Sequence, residues 1–278
     1  MLEARAGSGQ IRVLKVKDDL ILNLENTNVY SDHFLVRSHI DENTVQEDHF
    51  RAEDYEKYLF HDLVKGASVA ITDHDGLQVE GILGEKLRIR PLPEQERTDE
   101  GHVAHLLFEI DSPETRYDDY VIPEEHFMAR SDNSIVSERQ EREIPERIHP
   151  ELFLVCESTF VKTFRKGLES IILYFGVLIN AVNMRYLSVK NPKVRIRLVG
   201  FELNKEDTEP YILRASFARD HILGTRSLGV FRGYLKKNCE TYKMFDMIYI
   251  VSGSNLVDQR DNSYLDYTGF AFIGAICT

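Results

Sequence analysis

Residues 151–203 read ELFLVCESTFVKTFRKGLESIILYFGVLINAVNMRYLSVKNPKVRIRLVGFEL, and their change of hydrophobic period decides the fold. Leu152-Phe153-Leu154-Val155-Cys156 is a short unbroken apolar run, the pattern of a strand buried on both faces. Ser158 or Thr159 can cap the helix that follows, in which Phe160, Phe164, Leu168, Ile171, Phe175, Leu178 and Val182 recur at three and four. That helix runs towards Tyr186, and Asn191-Pro192 stops its extension. Residues 194–203 return as a strand. Working outward, residues 225–237 have the character of a second helix and Met247–Val251 that of a third apolar strand. The order β-α-β-α-β predicts an α/β unit with a mostly parallel, twisted sheet and right-handed crossovers. A polar loop is expected over 252–268, and the apolar stretch 269–276 then reads as a fourth, edge strand.

The first half has a different rhythm. Residues 20–24 and 67–71 read as short strands, and Asp73-His74-Asp75-Gly76 ends in an Asp-Gly turn signal from which 77–82 returns. Leu87-Arg88-Ile89-Arg90 alternates and stops at Pro91-Leu92-Pro93; an acidic loop and a further strand over 102–110 complete a β-rich unit. Residues 51–61 are a weaker helix candidate. Residues 111–148 hold few apolar and many charged side chains and read as an exposed linker. Arg139 and Arg142 in it form an Arg-x-x-Arg pair that a basic-specific processing protease could cut. The expected division is 1–110, 111–148 and 149–278.

Charge follows the same division. Residues 1–150 carry 17 Lys/Arg against 33 Asp/Glu, and residues 151–278 carry 17 against 13, so a strongly acidic module precedes a mildly basic one within a total of −12. The two could dock electrostatically. A net acidic chain whose Lys193, Arg195 and Arg197 alternate along a strand argues against nucleic acid as a partner. No stretch reaches the ~20 apolar residues of a membrane span, and no signal peptide opens the sequence, so no membrane partner is expected. The three cysteines, Cys156, Cys239 and Cys277, cannot all pair within the sequence.

Motifs narrow the chemistry further. There is no Gly-rich phosphate loop, no Gly-x-Ser-x-Gly elbow and no H-E-x-x-H helix. His102 and His105 sit three apart on an expected strand and point to opposite faces, so they make no two-ligand pair. His149-Pro150-Glu151 and Glu124-Glu125-His126 do not substitute for a zinc motif.

Several stretches together nevertheless resemble one family. They are Glu151-Leu152-Phe153-Leu154-Val155, the long helix to Asn180-Ala181-Val182, Arg195-Ile196-Arg197-Leu198-Val199-Gly200, and the pair Phe245–Gly253 and Thr268–Cys277, in this order and spacing. The chain is similar to the reprolysin (adamalysin-type) metzincin zinc metalloproteases, secreted arthropod salivary members in particular. Leu22-Asn23-Leu24-Glu25 and the run from Gly76 to Leu92 resemble the propeptide of that family. The resemblance implies a secreted, extracellular proenzyme: a propeptide over the cleft, an activation segment, and the upper part of a catalytic domain that stops before the zinc helix. Zinc belongs to the intact family, but this sequence has neither its ligands nor the general-base Glu, so no catalytic residue is assigned and the chain is expected to be inactive.

Some roles carry over by resemblance. Gly269, Phe270 and Ala271 match the edge strand that pairs with an extended peptide or protein substrate. Glu151 and Asp246 match carboxylates that hold a structural calcium, although two oxygens fall short of the six or more that calcium takes. Cys277 matches a cysteine whose partner lies downstream. No cysteine precedes Cys156, which excludes latency by a propeptide thiolate; an Asp or steric cover would have to replace it. Two rival readings remain: a non-catalytic protein that binds peptides along its exposed edge, and an unrelated α/β domain joined to a β-rich inhibitor module.

Overall fold

The computed structural model describes residues 2–6, 11–41, 43–73, 76–92, 103–110, 145–164, 166–260, 263–267 and 269–271. In chain order the first half forms β1 (Leu2–Ala6), β2 (Ile11–Lys17), β3 (Leu20–Asn26), β4 (Tyr30–His39), β5 (Val45–Arg51), α1 (Glu53–Glu56), β6 (Leu59–Asp62), β7 (Ala67–Thr72), β8 (Gln78–Leu83), β9 (Leu87–Pro91) and β10 (His105–Glu109). The second half forms β11 (Arg147–Ile148), β12 (Glu151–Cys156), α2 (Ser158–Lys162), α3 (Leu168–Tyr186), β13 (Lys193–Val194), β14 (Arg197–Leu203), β15 (Arg214–Ala215), β16 (Ala218–Leu223), α4 (Gly224–Lys237), α5 (Cys239–Tyr242), β17 (Met247–Val251), β18 (Asn255–Arg260) and β19 (Ser263–Tyr267).

These elements make a sheet-rich α/β protein. Eight antiparallel strands, in the order β1-β2-β3-β6-β7-β8-β9-β10, curl round a core that includes Leu22, Leu24, Val69, Val79 and Ile89. A second sheet of five strands has the order β17-β12-β14-β4-β5. Its β12 runs parallel to both β14 and β17, the arrangement expected from the β-α-β-α-β order. A third sheet, β15-β16-β18-β19, flanks α4.

Three features differ from the sequence expectation. The first-half hairpin β4–β5 joins the second-half sheet, with β4 parallel to β14, so the two halves meet in one sheet. They also share a core, in which Tyr30, Phe34 and Val36 pack with Leu152, Leu154, Phe175, Leu198 and Phe201. Secondly, 252–268 is not simply a polar loop: β18 and β19 pair antiparallel there, and Val257 is buried. Thirdly, the single helix expected from Phe160 onward is broken into α2 and α3. Gly167 turns the chain at φ +80°, which a glycine adopts without strain. The N-cap of α2 is Glu157, whose carboxylate accepts from the Phe160 N–H, not Ser158 or Thr159. The helix considered over 51–61 shrinks to α1, and the chain is already a strand at Leu59.

Helix α3 explains why its sequence is apolar nearly all round. By length and composition it could cross a membrane, yet it lies between the two large sheets. Ile172 and Phe175 face the shared core, while the Val177 carbonyl accepts from Ser68 Oγ at 2.9 Å on the β7 side. Asn180 bridges to Thr27 and Ser68 at 2.9 and 2.8 Å, which satisfies its buried amide. Gly176 permits this closeness, because a Cβ there would come within 2.5 Å of Leu59 Cδ1.

Candidate functional site

Among the described residues β17 has one partner strand, β12, and its other edge faces a cavity of about 1050 Å³. Helix α4 forms one wall through Ser227, Leu228 and Phe231; Asn255, Leu256 and Tyr267 of the β18–β19 hairpin contribute to another. Gly269, Phe270 and Ala271 also line the cavity, with the Phe270 ring against Gly224 and 4.8 Å from the Tyr267 ring. These three residues are described but are not in a strand, and the expected strand residues 272–276 lie outside the described residues. A five-residue edge rises about 17 Å, enough to align the backbone of a short extended peptide. The apolar side chains of Leu228, Phe231, Ile248 and Ile250 offer it a dry surface.

Beside the cavity, at the carboxyl ends of the parallel strands where sites in α/β sheets usually lie, is a polar network that reaches the lining through Ser252 and Ser254. Glu157 follows β12 directly. Its buried carboxylate accepts from Arg214 Nη2 at 2.8 Å, Ser252 Oγ at 3.2 Å, Gly253 N at 3.2 Å and Thr159 Oγ1. Arg214 Nη2 also donates to Glu209 Oε1 at 3.1 Å, and Glu209 accepts from Ser158 N at 2.9 Å and Ser158 Oγ at 2.8 Å. One guanidinium therefore spans two buried carboxylates. Burial pushes Glu157 up, but the bonds from Thr159 and Arg214 outweigh it and hold the group below the ordinary glutamate value. For Glu209 burial wins, and its pKa is raised. The donors and acceptors of this network satisfy one another, so it positions Ser252 and Ser254 at the cavity wall.

A second buried charge cluster lies at the seam between the halves. Glu202 on β14, with its side chain 1% exposed, accepts from Arg37 Nη1 of β4 at 2.6 Å and from Tyr242 Oη at 2.9 Å. His39 Nε2 stands 3.0 Å from its other oxygen, while His39 Nδ1 is buried without a partner. Burial draws the Arg37 pKa down, and Glu202, Tyr242 and Glu47 more than offset it. Gly200, two residues earlier, lets the strands approach: a Cβ there would meet the Leu35 carbonyl oxygen at 2.4 Å. Neither cluster was recognised as a unit from sequence. The available signal was a carboxylate inside the apolar run Leu198–Leu203 and another directly after Cys156.

The remaining candidates fall as follows. Asp246 Oδ2 accepts from the backbone N–H of Glu151 at 2.9 Å, so the structure brings this pair together across β12 and β17. Among the described residues no three His, Cys, Asp or Glu side chains gather as a metal cage. The described residues thus assemble no zinc-ligand set, and Glu151 with Asp246 is short of a calcium shell. Cys156 is buried and Cys239 exposed, and they are not joined; burial and the nearby Glu202 raise the Cys156 thiol pKa well above its ordinary value. Arg139, Arg142 and Cys277 lie outside the described residues. His102 does too, whereas His105 is on β10, where its Nε2 accepts from Val79 N at 2.9 Å.

No family model matches the chain, and no solved structure does. Curated proteins do match. Venom metalloproteinase antarease TserMP_A of Tityus serrulatus is 24% identical over 241 residues, covering 81% of this chain and 57% of that protein. The antarease-like TtrivMP_A of Tityus trivittatus is 24% identical over 250 residues, covering 82% and 59%. Venom metalloproteinase BumaMPs1 of Olivierus martensii is 24% identical over 286 residues, covering 100% and 69%. The chain is thus related to the metalloproteinases. Within that class its relatives include those of arthropod venoms, from scorpions and from the wasp Eulophus pennicornis. It spans somewhat over half the length of the first two relatives.

Proposed function

We propose that the chain is part of the precursor of a secreted, reprolysin-type zinc metalloendopeptidase. In this reading 1–110 is a propeptide-like unit, 111–148 an activation segment in which Arg139 and Arg142 mark the processing site, and 149–278 the substrate-aligning part of the catalytic domain. The observation that carries the proposal is the similarity to venom metalloproteinases along most of the chain. The cavity beside β17 supports the substrate role, because it offers a strand edge with apolar flanks. Gly269, Phe270 and Ala271 would hold the peptide backbone on the opposite side, while the Glu157–Arg214–Glu209 network keeps the wall fixed. The hairpin β4–β5 would be the means by which the first unit is held on the second.

Zinc supplies peptide-bond hydrolysis through a metal-activated water in enzymes of this type. The described residues hold no donor set for it. Glu151 and Asp246 would lend at most two oxygens to a calcium ion completed by other ligands.

A cavity with a strand edge and apolar walls also favours the second reading, a non-catalytic binder of extended peptides. Two measurements on the purified chain separate the readings from their failure. The first is zinc content with chelator-sensitive cleavage of a quenched peptide; neither stoichiometric zinc nor cleavage is expected, and zinc-dependent cleavage would overturn the donor assignment. The second is anisotropy of a labelled extended decapeptide, which Ala271→Pro should weaken about tenfold by removing a backbone donor, a loss of roughly 1.4 kcal/mol. Unchanged binding would remove the substrate role of 269–271.

A further inference from the structure

The end of α3 leaves apolar side chains in water where nothing in the fold requires it. Tyr186, Leu187 and Val189 are 37%, 57% and 37% exposed. They stand on a tight turn, closed by the Leu187 N–H on Met184 O at 3.3 Å and the Val189 N–H on Tyr186 O at 2.9 Å. Scattered single apolar residues on a surface need no explanation, but three within four positions on one turn form an exposed apolar cluster.

Cations flank that cluster along the chain and on β13, which packs against α3. Arg185 precedes it and Lys190 follows, with the Lys190 ammonium folded back on the Leu187 carbonyl at 3.3 Å. Lys193 on β13 pairs in register with Arg147 on β11, and both are exposed. Asn183 fixes this segment to the helix through reciprocal bonds to Ile196, 2.9 Å from its amide and 2.8 Å to its oxygen. Burial and the neighbouring guanidinium groups of Arg197 and Arg147 lower the Arg195 pKa, with Glu56 acting against them. Glu146, held at 3.1 Å by Lys193, is the other acid engaged here. Such a concentration of one sign stands out in a chain of net charge −12.

We propose that the turn Tyr186–Val189 and its surrounding cations are a docking surface for an anionic phospholipid bilayer. The cations would neutralise lipid phosphates, while Tyr186, Leu187 and Val189 enter the headgroup boundary, as apolar residues with a basic flank do at membrane surfaces. Exposed apolar side chains beside cations match a surface whose headgroups are anionic and whose interior is apolar. The expectation of no membrane partner rested on the lack of a spanning segment, and surface docking requires none.

The test is co-sedimentation of the full chain with vesicles of phosphatidylcholine and phosphatidylserine at 7:3, compared with phosphatidylcholine alone. Binding is expected to the first, weaker in high salt, and absent from the second. At about 1 kcal/mol per basic residue near the surface, Lys190→Gln with Lys193→Gln should weaken it roughly 25-fold. Leu187→Ser should weaken vesicle binding while leaving retention on heparin unchanged. All three positions are exposed, and an unaltered circular dichroism spectrum checks their folding. No binding to the anionic vesicles at low salt would overturn the proposal. So would vesicle binding that Leu187→Ser leaves intact, since that marks a site for soluble polyanions.

Discussion

Replacing Arg37 by Met probes the seam between the halves. The Arg37 side chain is 12% exposed and Glu202 1%, and their charged atoms are 2.6 Å apart. At an effective dielectric near 20 a pair of unit charges about 4 Å apart attracts by about 4 kcal/mol. In Arg37→Met the Glu202 carboxylate stays buried and keeps Tyr242 and His39 as neighbours, but loses its guanidinium. Breaking one side of such a pair costs about 3–5 kcal/mol. Removing both charges, as Arg37→Met with Glu202→Gln, should recover most of that loss, because no uncompensated charge is left inside. The assay is urea unfolding at pH 7, with the double-mutant cycle giving a coupling of about 2–4 kcal/mol. A single-variant loss below about 1 kcal/mol, or strict additivity in the cycle, would refute the view that this pair fastens hairpin β4–β5 to β14.

Other consequences follow from the packing and the titrating groups. Gly200→Ala places a methyl group 2.4 Å from the Leu35 carbonyl oxygen and 3.0 Å from Phe153 Cε2, and should lower stability by about 1–3 kcal/mol in thermal unfolding; an unchanged melting temperature would contradict it. Phe175→Ala empties the centre of the shared core, where the ring is fully buried, at a cost of about 3–5 kcal/mol by denaturant titration. Glu157, held below the ordinary value of 4.5, contributes stability that is present above that value and lost as pH falls through its lower folded pKa. The stability advantage of the native chain over Glu157→Gln should therefore shrink below pH 4.5; an advantage constant down to pH 2 would count against this assignment.

The local patterns were legible because their signals are local. Met247–Val251 is a continuous apolar run with no competing period, and it is β17 in the structure; the helix expected over 225–237 is α4, which begins one residue earlier at Gly224. The strands β7 and β8 follow from apolar runs on either side of the Asp-Gly turn signal, and β9 from the alternation that stops at Pro91. What escaped was long-range. Hairpin β4–β5 carries a polar edge strand, Val45–Arg51, with no fully buried side chain, and nothing in its own sequence announces a parallel pairing with residues more than 150 positions away. Within 252–268 the polar composition hides the strand pair β18–β19, on which Val257 is buried. The break between α2 and α3 is masked because Phe160, Phe164 and Leu168 keep the helical spacing across it, Phe164 still packing on Phe160 with rings 5.0 Å apart before the chain turns at Gly167. As for the site, the resemblance points to Gly269–Ala271, whereas the Glu157–Arg214–Glu209 network forms only where the end of β12, the segment after β14 and the start of β15 meet.

The account rests on an extended peptide lying along the outer edge of β17. Backbone amide hydrogen exchange of the full chain, with and without a saturating unstructured peptide, tests this most directly. Slowed exchange confined to Met247–Val251 and Gly269–Ala271 is the predicted result, since those amides line the cavity. Protection that leaves both segments unchanged, or that appears instead along β5 at the opposite edge of the sheet, would contradict it.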